Sequence, residues 1–137
     1  MAKLTRIQHE GIPVRDLEKS TAFYQEVIGL QAIPRPPLGP GVWLADASGT
    51  PQMHLIVNQD WPVPGPDAKP NARGRHTAFL VDDYDELKQR FQQHGVTWSE
   101  LPDSVVGVPQ LFCVDPDGHT LELSFGQEVG LTVERAT

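Results

Sequence analysis

Residues 120–125 alternate strictly. Leu121, Leu123 and Phe125 fall on one face of an extended segment, and Thr120, Glu122 and Ser124 fall on the other, the two-residue period of a half-buried strand. The run before it, 109–115, is largely apolar. Asp115-Pro116-Asp117-Gly118 joins the two with turn chemistry, Pro setting φ and Gly free to take φ > 0. A closing hairpin is predicted, with Glu122 mid-strand and turned away from the apolar layer. Near the N-terminus the period changes. Leu17, Thr21, Tyr24 and Ile28 recur at helical spacing after Asp16, a suitable N-cap, and Gly29 stands where a helix stop belongs. Strands are expected over 4–14, 30–34, 42–47 and 52–58, the last two joined at Asp46-Ala47-Ser48-Gly49. Residues 59–74 hold four prolines and two glycines, too long and too Pro-rich for a tight turn, and read as a linker or lid.

The pattern then restarts. A strand is expected over 75–81, and a helix capped by Asp82 or Asp83, with Tyr84, Leu87, Lys88 and Phe91 on one face and Gly95 as its stop. A strand over 96–101, a loop over 101–109, the closing hairpin and a polar tail, 127–137, complete the chain. Two halves of order strand–helix–strand–strand–strand are an internal duplication. His9 precedes Asp16 by seven residues, as His76 precedes Asp83 by seven. Gly29-Leu30 answers Gly95-Val96, and Asp46…Gly49 answers Asp115…Gly118. His54 and Glu122 follow those last glycines by five and four residues. The fold class expected is α+β: one domain of two tandem modules, about 4–58 and 75–126.

Composition narrows the partners. At 137 residues the chain has the length of one domain. A net charge of −7 argues against nucleic acid or an anionic membrane surface. Cys113 lies in an apolar run and reads as a core thiol. With a single cysteine there is no internal disulfide, which fits a reducing compartment. MAKLTRIQHEG has no apolar signal core and no run reaches membrane length, so a cytoplasmic protein is expected.

The duplication groups four polar residues. His9 and His76 occupy matched places in the first strands, and His54 and Glu122 matched places in the last strands. If the first and last strands of each module are neighbours, three imidazoles and one carboxylate converge. That donor set suits a divalent transition ion, imidazole favouring Zn, Ni, Fe or Cu and carboxylate admitting Mn. His94, at a helix end, and His119, in a turn, read as ordinary surface histidines.

His9 with IPVRDLEKSTAFYQEVIGL behind it, GRHTAFLVDD at 74–83 and DPDGHTLEL at 115–123 resemble the vicinal oxygen chelate superfamily, the glyoxalase I / bleomycin resistance protein / extradiol dioxygenase fold. The resemblance implies paired βαβββ modules with curved mixed sheets, a divalent metal (Zn, Ni, Fe, Mn or Co) in a cleft, and small substrates that chelate it through vicinal oxygens. It also implies a homodimer, with a cleft often built from both subunits. His9, His76 and Glu122 fall on positions that are metal ligands in glyoxalase I and the fosfomycin thiol transferases. His54 falls where glyoxalase I has glutamate and methylmalonyl-CoA epimerase glutamine, which leaves Glu122 as the only carboxylate.

The activity this implies is a metal-dependent lyase or isomerase with an enediolate-type intermediate. Glu122 would be the base, and His54 a ligand or the group that returns the proton. Three alternatives stay open: an Fe(II) extradiol-type dioxygenase using His9, His76 and Glu122 as a facial triad, a thiol transferase of fosfomycin-resistance type, and a protein that sequesters a small molecule without turnover. The potassium-binding loop of the fosfomycin transferases has no counterpart in SVVGVPQ. Loop 35–41 and linker 59–74 would rim the cleft, with Trp43, Trp61 or Tyr84 as candidate walls and Arg75 as a candidate contact for an anionic substrate group.

Overall fold

A computed structural model describes residues 1–101 and 109–125. The expected loop and SVVGVPQ, up to Val108, and the tail 127–137 lie outside the described residues. The elements run β1 (Glu10–Val14), α1 (Leu17–Ala22) continuing as a π-helical turn (Phe23–Ile28), β2 (Gln31–Ile33), β3 (Gly41–Ala45), β4 (Pro51–Val57), β5 (His76–Val81), α2 (Tyr84–Gln93), β6 (Ser99–Leu101), β7 (Gln110–Val114) and β8 (Thr120–Phe125). They form two four-stranded mixed sheets, of order β1-β4-β3-β2 and β5-β8-β7-β6. The chain divides into two compact units, Met1–Val63 and Pro64–Thr137. The expected α+β architecture of two βαβββ modules is observed. No helix among the described residues is long and apolar enough to cross a membrane.

Each helix is set by its caps. Asp16 accepts from the Lys19 amide at 3.1 Å and Asp83 from the Glu86 amide at 3.0 Å, satisfying a free N–H of the first turn. Gly29 and Gly95, at φ 97° and 67°, turn the chain out of the helix where a side chain would be strained. Twelve residues separate Asp16 from Gly29, but eleven separate Asp83 from Gly95. Module one absorbs the extra residue in its π-helical turn, where the Gly29 amide reaches back to the Tyr24 carbonyl at 2.9 Å.

In each module the helix covers one face of its sheet. Val14, Tyr24, Leu44, Met53 and Leu55 are at most 1% exposed in the first, and Leu87, Phe91, Leu111, Leu121 and Leu123 are fully buried in the second. The two hairpin turns agree atom for atom. Asp46 Oδ1 accepts from the amides of Ser48 and Thr50, and Asp115 Oδ1 from those of Asp117 and His119. Gly49 and Gly118 have φ 84° and 85°.

The first strand is shorter than the alternation suggested. It begins at Glu10 rather than Leu4, and Leu4 and Ile7 remain 103% and 86% exposed. Glu10 pairs with Met53, so residues further upstream would meet Pro51, which has no N–H to give, and then the turn.

Candidate metal centre

In each module the first strand runs parallel to the last, and the register decides which side chains are neighbours. Gly11 pairs with His54, and His9 lies two residues ahead of Gly11, so both histidines project from one face. In module two Ala78 pairs with Glu122, and His76 lies two residues ahead of Ala78. The arrangement is the same: a histidine, then a small residue opposite the second donor. Both pairs sit on the face away from the helix. Met53 and Leu55, flanking His54, and Leu121 and Leu123, flanking Glu122, are buried on the opposite side.

The spacing of five against four after the turn glycines would put His54 and Glu122 on opposite faces if both strands were regular, because a one-residue slip reverses every side chain. A β-bulge prevents this. Leu44 pairs with Met53 but Ala45 with Pro51, so Gln52 is the unpaired residue. In module two the ladder is unbroken, Cys113 on Leu121 and Val114 on Thr120. Gln52 is held outward by its amide, which donates to Asp46 Oδ2 at 2.9 Å.

The ring contacts in module one form a stack. The His54 imidazole lies between Trp43, at a centroid distance of 4.3 Å and 7° between planes, and His9, at 3.7 Å and 16°. His9 Nδ1 lies 2.9 Å from Gln8 Oε1, and His76 Nδ1 lies 2.9 Å from the Gly74 carbonyl. An oxygen at Nδ1 turns Nε2 away from that contact, the way an outer-shell oxygen orients a metal-binding histidine. His54 has neither ring nitrogen hydrogen-bonded among the described residues. Burial pushes its pKa below the usual histidine value, and the charges of His9 and Arg35 push it further; the ring is therefore neutral at neutral pH. Glu122 Oε1 accepts from Gln110 Nε2 at 3.0 Å, which leaves Oε2 for other work.

The donor chemistry fits a divalent ion. Three imidazoles and an ionisable carboxylate are a transition-metal set. Each unit by itself offers two such donors, and neither gathers three or more His, Cys, Asp or Glu side chains in metal-holding geometry among the described residues.

Other expectations divide. Trp43 is on the His54 face. Tyr84 is not on the Glu122 face: its ring meets Phe125 edge-on at 4.6 Å, on the helix side. It faces that way because Tyr84 is the first residue of α2 and packs on the apolar row of β8. His94 caps the end of α2, as expected, and His119 lies in the last hairpin turn. Gln8, Gln110 and Arg35 were not singled out in the sequence. The alternation around Phe112 does place Gln110 on Glu122's face, and that was the available signal.

Residues 6–123 match the family described as the Glyoxalase/Bleomycin resistance protein/Dioxygenase superfamily. The chain is 30% identical over 129 residues to the glutathione transferase FosA of Serratia marcescens, covering 90% of this chain and 82% of that one. It is 29% identical over 132 residues to the lactoylglutathione lyase of Salmonella typhimurium, covering 91% and 96%. Among solved structures, the fosfomycin resistance protein FosX from Listeria monocytogenes superposes with a TM-score of 0.71 at 22% identity, covering 92% of this chain and 97% of that one. This last likeness speaks for the fold.

Proposed function

The chain belongs to the glyoxalase/bleomycin resistance protein/dioxygenase superfamily, and from that premise we propose that it is a metal-dependent lyase or isomerase whose divalent ion is held by His9, His54, His76 and Glu122. The observation that carries this is the matched pinning of His9 and His76. In both modules the histidine at the head of the first strand has Nδ1 2.9 Å from an oxygen, which leaves Nε2 free to face a metal. The similarity to a lactoylglutathione lyase supports the reaction class, and the similarity to a glutathione transferase keeps a thiol co-substrate within it.

A bound divalent ion supplies Lewis acidity toward the neighbouring oxygens of a small substrate. The chain's residues do the rest. Gln110 fixes Oε1 of Glu122, so Oε2 would be the atom that holds the ion and, once loosened from it, takes the proton α to the substrate carbonyl; a base needs hydrogen-bond reach to that proton. Trp43 and His9 clamp the His54 ring so that it does not turn during the reaction.

One observation favours a second reading. His54 lacks the pinning that His9 and His76 share. A triad of His9, His76 and Glu122 is the two-histidine, one-carboxylate set of Fe(II) oxygenases, with His54 as a free acid–base group. Metal analysis of protein purified without chelator, repeated for His54→Ala and Glu122→Ala, separates the readings. Loss of metal in His54→Ala supports four ligands. Retained metal with lost activity, dependent on ferrous iron and oxygen, supports the triad. Wild-type protein that binds a small ligand fully without metal, and never turns it over, overturns both in favour of sequestration.

A further inference from the structure

Arg35 follows β2 in a stretch stiffened by Pro34, Pro36 and Pro37, where the backbone is restricted before any ligand arrives. Its guanidinium lies over Gly41. A Cβ at that position would come within 3.3 Å of Nη2 and 3.5 Å of Cζ. Gly41 pairs with Ile56, and Trp43 pairs with His54. The guanidinium is therefore on the same face of the first sheet as the Trp43–His54–His9 stack, over a position one strand diagonal from His54.

Nη1 donates to the Gly39 carbonyl at 2.7 Å. Nε is buried with no partner, and Nη2 has no acceptor among the described residues. No carboxylate of the described residues pairs with Arg35. The nitrogen left for a ligand is thus Nη2, which can donate to an oxygen of a carboxylate or phosphate. Ile56, 54% exposed, and Trp43 share that face, as the partners of Gly41 and His54. A staple for the 35–41 loop needs Nη1 alone and leaves the charge and Nη2 without a counterpart.

We propose that Arg35 is the specificity-determining receptor for an anionic oxygen group of the substrate, a carboxylate or a phosphate-type group, held at Nη2 of the guanidinium beside Gly41. The substrate class is then a small oxyacid whose acidic group lies apart from the oxygens that meet the metal. That second clause rests on the proposed metal site; the anion subsite itself does not. Arg75, the other candidate suggested by the sequence, precedes β5 and is exposed.

The test uses the metal-free full chain with chelator present, titrated with inorganic phosphate and followed by broadening of the phosphorus resonance. Wild type and Arg75→Ala are expected to bind alike. Arg35→Ala and the milder Arg35→Gln should weaken binding at least tenfold, and Arg35→Lys, which keeps the charge but not the position of Nη2, should fall between. Circular dichroism of Arg35→Gln guards against loss through unfolding. Equal phosphate affinity in wild type and Arg35→Gln overturns the proposal. So does an equal loss in Arg75→Ala, which would mean diffuse attraction. Because no metal is present, phosphate binding that depends on Arg35 stands even if metal analysis finds no ion. Conversely, a metal held by the four ligands with phosphate binding indifferent to Arg35 sinks this inference alone.

Discussion

Gly11 lies directly across the parallel β1–β4 ladder from His54, and Ala78 repeats the position opposite Glu122 in β5–β8. A small residue in each first strand leaves the second donor uncrowded by its neighbour. The equivalence allows a substitution to be read from one module to the other. Gly11→Ala would place a Cβ 3.3 Å from Ile56 Cδ1, the mobile end of a half-exposed side chain that can swing aside. Thermal unfolding should show a change within about 1 kcal/mol, toward greater stability, because alanine narrows the unfolded ensemble. Gly11→Leu should instead displace the His9 and His54 rings and lower the metal content.

Deleting Gln52 converts the bulged ladder of module one into the regular ladder of module two. His54 would then follow Gly49 by four residues, as Glu122 follows Gly118, and keep its face. The expected cost is the lost hydrogen bond to Asp46, about 0.5–1.5 kcal/mol, read from the urea midpoint, with metal content unchanged. Deleting Met53 instead moves Gln52 into a core position and should unfold module one.

Acid should weaken the protein through His54. Its folded-state pKa is lowered, by burial first and then by the charges of His9 and Arg35, so the unfolded chain binds the proton more readily. That contribution to stability is complete above the unfolded value near 6.5 and is lost as pH falls through the folded value. Chemical denaturation of metal-free protein between pH 7.5 and pH 5, on the order of the window set by a histidine, should show a decline that His54→Gln flattens.

Cys113 should be inert while the protein is folded. Burial, with the Asp115 charge adding to it, pushes the thiol up to about 12, and only the thiolate reacts. An Ellman-type reagent is expected to label no thiol in buffer and one per chain in denaturant. Rapid labelling in buffer would show that module two opens at β7.

What the sequence determined by itself is local. Alternation with period two gave the face of Glu122, helical spacing gave the apolar stripes of both helices, and the Asp and Gly caps marked where those helices begin and end. These signals depend on neighbours a few residues away, and the order of landmarks carried them to the duplication and the family. Register was decided elsewhere. Five residues between Gly49 and His54 say nothing of facing until β3 pairs around Gln52, and the alternation from Leu4 to Gln8 means nothing without a strand beside it to accept those amides. The extra helical residue in module one shows as a π-turn only once the helix ends at Gly29. Arg35 comes to rest over Gly41 through a proline-rich loop that has no period to read. Side-chain direction within a strand or helix is a property of the chain's own repeat; which strand lies alongside, and at what offset, is settled by hydrogen-bonded partners distant in sequence, and only the tertiary structure supplies them.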